Sequence, residues 1–214
     1  MLHNMVIYGG TFDPVHNGHV NTAINIQHHF NYERFIFLPC KTPVLKTMFA
    51  STAQRVKMLE LALANYGNNF IIDHTEINSP TPSYMVETLQ QFRHKYGQEI
   101  ALSLIIGSDH LIQLPKWYEW QKLIKLCHLV VINRHIGKFS MPKVIKELVK
   151  QHQTYTAKAI LELNCGLIYK FDAGFYPFSS TEIRKQIAHR QFPVDALPLT
   201  VLEYIQANKI YHTI

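Results

Sequence analysis

The sequence predicts an α/β protein built on a parallel, doubly wound sheet with helices on both faces. Three observations predict it. Segments of strand type alternate with segments of helical periodicity along the chain. The runs Ile100–Ile106 and Leu129–Ile132 are almost unbroken in apolar residues, as in strands covered on both faces. A glycine-rich turn, Gly9-Gly10-Thr11-Phe12-Asp13-Pro14-Val15-His16-Asn17-Gly18-His19, joins the first strand to the first helix. In an open α/β sheet that turn lies at the carboxyl edge, where ligands bind.

The elements follow in order. Met5–Tyr8 is a short apolar strand, and a helix runs from the turn to about Phe30 with Val20, Ala23 and Ile24 on one face. Arg34–Leu38 is the second strand, stopped by Pro39, and the Pro-punctuated loop after it carries Lys41, Leu45 and Lys46. Ser51 caps a helix through Ala64, with Gln54 completing a capping box. Phe70–Asp73 is a third strand, Asn78–Ser83 a turn-rich linker, and the next helix ends near Tyr96. Ile100–Ile106 ends at Gly107-Ser108-Asp109, and two short helical pieces follow within Leu111–Leu126. Leu129–Ile132 and Gly166–Phe171 are strands, while Met141–Gln153, Ser180–His189 and Leu199–Asn208 are helices. The stretch Gln151–Asn164 carries no firm periodicity.

A chain of 214 residues fits one domain with a full core, so residues 1–214 are read as a single unit. Hydrophobic content of 47% and charged content of 17% are globular values. The formal charge of +6 is not gathered into any Lys/Arg run, so it favours polyanionic small molecules such as nucleotides over nucleic acid. Cys40, Cys127 and Cys165 are scattered and odd in number, as in a reducing compartment. The first residues lack a signal-peptide core, and no apolar run is long enough to span a bilayer. A cytoplasmic protein without membrane contact is expected.

Each unusual residue in the glycine-rich turn has a physical use. Gly9 and Gly10 let backbone approach a ligand or adopt positive φ. His16 and His19 share a face of the first helical turn, and Gly18 between them leaves room for a flat ring. The helix start supplies unpaired N–H groups and partial positive charge, which suit phosphate. Two His at this spacing could also ligate zinc, but no third ligand of metal-site spacing lies nearby, so no metal site is expected. Walker-type and dinucleotide-type glycine motifs are absent.

Other stretches carry chemistry as well. Phe178-Ser179-Ser180-Thr181-Glu182-Ile183-Arg184 reads as a capping box, Ser179 with Glu182. Three hydroxyls at a helix start with an Arg one turn on also make a phosphate cradle. Gly107 and Asp109 end a core strand, where a carboxylate can accept from ribose hydroxyls. Trp117 and Trp120 read as core residues or as a stacking surface.

The turn resembles the G-x-F-D-P-x-H-x-G-H signature of HxGH nucleotidyltransferases, and its fuller form is most similar to bacterial nicotinate-nucleotide adenylyltransferases. Phe178–Arg184 resembles that family's I-S-S-T-x-I-R run, with Phe178 for Ile. Ile105–Asp109 resembles I-I-G-x-D, Pro115–Trp120 resembles P-x-W-x-x-W/Y, and Pro82–Leu89 resembles P-S-Y-T-x-x-T-L with Met85 for Thr.

The resemblance implies a Rossmann-like, three-layer nucleotidyltransferase fold. It also implies transfer of AMP from ATP to nicotinate mononucleotide, giving nicotinate adenine dinucleotide and pyrophosphate. His16, His19 and Arg184 would then be catalytic. Gly9, Gly10, Thr11, Phe12, Gly18, Gly107, Asp109, Ser179, Ser180 and Thr181 would bind ATP and phosphate. Lys46, Ser83, Tyr84, Met85, Trp117, Tyr118 and Arg134 would bind the nicotinate nucleotide, with Leu45 standing where His is frequent. Mg²⁺ would arrive on ATP rather than in a protein cage. The alternatives are nicotinamide mononucleotide or another phosphate acceptor, as in pantetheine-phosphate adenylyltransferases, and a non-catalytic nucleotide-binding homologue.

Overall fold

The computed structural model describes residues 3–43, 47–80, 82–133 and 140–212. The strands are β1 (Asn4–Gly10), β2 (Arg34–Pro39), β3 (Ile71–Ile72), β4 (Ala101–Gly107), β5 (His128–Ile132), β6 (Gln153–Thr154) and β7 (Ile168–Phe171). The helices are α1 (Asn17–Phe30), α2 (Thr52–Leu63), α3 (Thr75–Asn78), α4 (Met85–Tyr96), α5 (Ser108–Gln113) and α6 (Leu123–Leu126). They continue with α7 (Lys143–His152), α8 (Ala157–Glu162), α9 (Ser180–Ala188) and α10 (Leu199–Ala207).

The seven strands form one sheet in the order β3-β2-β1-β4-β5-β7-β6. Every pairing is parallel. The chain winds outward from β1 through β2 and β3, then crosses back to add β4 on the other side of β1. The carboxyl ends of β1 and β4 therefore flank the switch point, where the loops part and leave a crevice.

Side chains alternate between the two faces of this sheet. Val6, Tyr8, Phe35, Phe37 and Val130 join a core with α1, α2, α9 and α10. Met5, Ile7, Ile36, Leu38, Leu104 and Val131 join a second core with α4, α5, α6 and α7. A parallel sheet buried on both faces is the physical reason for its near-continuous apolar strands. At the opposite edge, Arg93 is buried and donates to the carbonyls of Leu126, Gly97, Gln98, Ile100 and Asn164.

Several local expectations are revised. β1 runs past Tyr8 to Gly10, and Pro39 is the final residue of β2, opposite Gly10. Asn78 belongs to the single turn α3 rather than to a linker, because Asp73 Oδ1 accepts from Thr75 N at 2.8 Å and starts that turn. The stretch after Gln151 holds the polar edge strand β6, which pairs only with β7, and the short helix α8. An edge strand of two polar residues has no apolar alternation to betray it.

The turn after β1 is held from three distant parts of the chain. Asp13 is 2% exposed, and its carboxylate accepts from Phe49 N at 2.9 Å, Ala50 N at 3.1 Å and the Tyr211 hydroxyl at 2.6 Å. Arg184 Nη1 donates to the Asp13 carbonyl at 2.6 Å, and Ser180 Oγ to the Pro14 carbonyl at 2.9 Å. Arg55 of α2 is buried and donates to the Thr11 carbonyl at 2.7 Å and to the Lys41 carbonyl at 3.1 Å. The start of α1 is fixed by Asn17, whose N–H and Nδ2 donate to the carbonyls of Ala196 and Asp195.

Burial and the neighbouring Asp13 charge both push the Tyr211 phenol upward, so it stays a donor. Replacing Tyr211 by Phe removes one bond to a buried carboxylate. Denaturant unfolding is expected to show a loss of about 1.5–3 kcal/mol. A loss within measurement error of zero contradicts the role given to this contact.

Candidate active site

Two cavities open at the switch point. The larger, about 820 Å³, is lined by Gly9, Gly10, Thr11, His16, Gly18, His19, Asp109, Ser179, Ser180, Thr181 and Arg184, among others. Most of the residues expected to bind ATP, from both ends of the sequence, thus face one space. The second, about 470 Å³, is lined by Ser83, Tyr84, Met85, Trp117 and Tyr118 together with Cys40, Glu76 and Lys116. Gly9, Gly10, Thr11 and His110 line both, so the cavities meet at the end of β1.

His16 is the N-cap of α1 and His19 its third residue, and their ring centroids lie 3.7 Å apart. The His16 backbone N–H points at His19 Nδ1, 3.3 Å away. Nδ1 is therefore the acceptor, and a neutral His19 carries its proton on Nε2, as a donor. A Cβ on Gly18 would lie 3.0 Å from the His16 ring and 3.2 Å from Tyr176 Cβ. The space left at Gly18 is thus filled by a histidine of the same turn.

Gly9 and Gly10 do not take positive φ; Phe12 does, at 48°. That conformation folds the Phe12 ring under Gly10, where a Cβ would meet it at 2.9 Å. The ring, 1% exposed, sits against Tyr8, Phe37 and His19. The Phe12 side chain therefore lines neither cavity and packs beneath the turn. Gly107 also lines neither cavity, because it is the buried N-cap of α5. Asp109, two residues on, faces the large cavity with Oδ1 buried and without a hydrogen-bond partner among the described residues.

The hydroxyls of α9 already have partners. Ser179 Oγ accepts from Glu182 N at 3.1 Å, which is the capping half of the expected motif. Ser180 binds Pro14, and Thr181 Oγ1 accepts from Arg184 Nη2 at 3.4 Å. These bonds aim the start of α9, with its unpaired N–H groups, into the cavity. The Arg184 guanidinium also lies 4.3 Å over the ring of Phe49. No sequence pattern marked Phe49, which lines the same cavity and is 46% exposed.

In the smaller cavity Tyr84 and Tyr118 pack at 4.9 Å, and Trp117 lies 5.9 Å from the His110 ring. Met85 reaches Gly9, its Cε 3.2 Å from where a Cβ would stand. The loop lysine Lys41 donates to the Ser79 carbonyl at 2.7 Å and so braces the wall. Lys46 and Arg134 lie outside the described residues. Among the described residues no cluster of three or more His, Cys, Asp or Glu could hold a metal ion, and no helix is long and apolar enough to cross a membrane.

Arg55 and Glu76 are site-forming residues that the sequence did not mark. An arginine in mid-helix and a glutamate after a strand both read as solvated, and only their tertiary partners reveal them.

Residues 7–186 match the cytidylyltransferase-like family. A Legionella pneumophila protein named nicotinate-nucleotide adenylyltransferase is 44% identical over 212 residues, covering 98% of this chain and 100% of the relative. A Shewanella sediminis protein of the same name is 36% identical, covering 96% of each chain. The solved Plasmodium falciparum nicotinic acid mononucleotide adenylyltransferase complexed with NaAD superposes with a TM-score of 0.76 over 98% of each chain, at 18% identity. That likeness speaks for the Rossmann-like fold, and the sequence matches for descent. The chain belongs to the cytidylyltransferase-like family and, within it, to the nicotinate-nucleotide adenylyltransferases.

Proposed function

We propose that this protein transfers AMP from ATP to nicotinate mononucleotide, forming nicotinate adenine dinucleotide and pyrophosphate in NAD biosynthesis. The observation that carries the reading is the shared wall. A cavity lined by two histidines and the start of α9 meets, at Gly9, Gly10 and Thr11, a more apolar cavity that holds Tyr84, Trp117 and Tyr118. A triphosphate in the first and a pyridine nucleotide in the second would bring two phosphates together at the end of β1. The relatives' name supports the same acceptor.

The reaction is an in-line displacement. An acceptor phosphate oxygen attacks the α-phosphorus of ATP, and the bond to the β-phosphate oxygen breaks as pyrophosphate leaves. Such chemistry needs positioning and neutralisation of charge more than a covalent nucleophile. In this reading His16 and His19 donate to the α- and β-phosphates as charge builds there. The start of α9 and Arg184 hold the leaving β- and γ-phosphates. Asp109, with its open Oδ1, accepts from a ribose hydroxyl. Trp117 lies against the pyridine ring, and Ser83, Tyr84, Met85 and Tyr118 enclose it.

Mg²⁺ enters as part of the substrate, carried by ATP. The donor set suits this, because the Asp13 carboxylate is consumed by Phe49, Ala50 and Tyr211. Soluble substrates and the absence of a spanning helix among the described residues fit a cytoplasmic setting.

Acceptor-dependent pyrophosphate release tests the reaction. Release with ATP and nicotinate mononucleotide is expected, and ATP binding without release under either pyridine nucleotide contradicts it. His19→Ala should lower kcat by about 10²–10³-fold, the loss typical of one donor to a developing oxyanion, with the unfolding midpoint unchanged. Near-normal kcat in the folded variant refutes that role. Phe49→Leu keeps an apolar contact but removes the ring face under Arg184, so kcat/KM for ATP should fall by about 2–5-fold. Phe49→Tyr should retain wild-type values; equal loss in both variants contradicts a ring-face effect.

A further inference from the structure

The smaller cavity contains an acid where an anionic substrate is expected. Glu76 is 4% exposed and forms part of that cavity's wall beside Cys40 and Ser83. Ordinarily a carboxylate there would repel the carboxylate of a nicotinate ring.

The hydrogen bonds around it suggest how the conflict is avoided. The Thr88 hydroxyl lies 2.9 Å from Glu76 Oε1 and 3.3 Å from the Tyr84 carbonyl. A hydroxyl has one proton, so it cannot donate to both. If Glu76 carries a proton, the acid donates to Thr88 Oγ1, and Thr88 donates onward to Tyr84. Both contacts are then hydrogen bonds, running from Glu76 to the backbone of a residue that lines the cavity. If Glu76 is ionised, one of the two contacts has no proton in it.

The surroundings favour the first arrangement. Among the described residues no Lys, Arg or His forms an ion pair with Glu76. Burial pushes its carboxyl upward, more strongly than the hydroxyls of Thr88 and Ser83 and the Cys40 thiol pull it down. The Cys40 thiol is itself pushed up to about 11 by burial, so it adds no charge. Arg55, the cation on the α2 side, is committed to Thr11, Lys41 and Thr52. Lys41 is held by the Ser79 carbonyl. Tyr84, His110, Lys116 and Tyr118 complete the titratable groups around the cavity among the described residues.

We propose that Glu76 is a neutral acid in the folded protein, and that its neutrality is what admits an anionic pyridine carboxylate to this cavity. The proposal rests on the acceptor reading above and deepens it. Glu76 becomes a residue that sets acceptor choice between the acid and the amide. Ionisation of Glu76 would place two like charges together, which disfavours the acid relative to the amide.

Two measurements test this. In protein labelled with ¹³C at glutamate Cδ, the resonance missing from Glu76→Gln should have the shift of a protonated carboxyl at neutral pH. It should move to the ionised position only at higher pH. Calorimetric Kd values for nicotinate mononucleotide and nicotinamide mononucleotide, taken across the same range, give a ratio in which everything the two ligands share cancels. The preference for the acid should fall by roughly ten-fold or more as Glu76 ionises, and the ratio for Glu76→Gln should be flat.

A Glu76 resonance already ionised at neutral pH overturns the proposal without the variant's binding being needed. So does a wild-type ratio flat across the Glu76 titration while both nucleotides bind. Absence of binding by either nucleotide overturns instead the assignment of this cavity to the acceptor.

Discussion

A single buried carboxylate organises the functional end of this molecule. Asp13 is removed from water by the loop after β2, by α9 and by Tyr211 near the carboxyl terminus, and a charge so placed is tolerable only if donors surround it. Those donors come from residues 49, 50 and 211, while the Asp13 carbonyl takes the guanidinium of Arg184. Satisfying one side chain therefore draws together the turn after β1, the loop before α2 and a tyrosine 198 positions away. The histidine turn and the start of α9 face each other because both are tied to the same two residues, Asp13 and Pro14.

The sheet decides where this happens. A parallel sheet turns all its carboxyl ends to one edge, and the crossing from β3 back to β4 opens a crevice between the loops that follow β1 and β4. Gly10 is at the floor of that crevice because a Cβ there would strike the Phe12 ring. Packing below the turn and access above it are thus one requirement. The cavity above holds donors, while the neighbouring cavity is walled largely by rings and aliphatic carbons.

How much of this was legible in the sequence depended on the range of the interaction. Gly9 to His19 and Ser179 to Arg184 stood out because each is a short run of unusual residue types, and residues of both line one cavity. The strands could be read because burial on both faces leaves continuous apolar runs. The place of the Phe12 ring could not be read from the motif, since its positive φ sends the ring into the core. Ser179 looked like a cap or a cradle, and it caps while lining the cavity. Arg55, Phe49 and Glu76 left no local trace, since each acquires its role from residues between 12 and 135 positions away. The edge strand β6 was invisible because two polar residues carry no period.

The central claim is that two imidazoles from the first turn and a guanidinium from α9 act on one triphosphate. A crystal structure of the protein with a non-hydrolysable ATP analogue and Mg²⁺ tests it most directly. The account predicts phosphate oxygens of a single analogue within about 3 Å of the side chains of His16, His19 and Arg184. An analogue whose triphosphate lies outside this cavity, or reaches the histidines while Arg184 turns elsewhere, would contradict it.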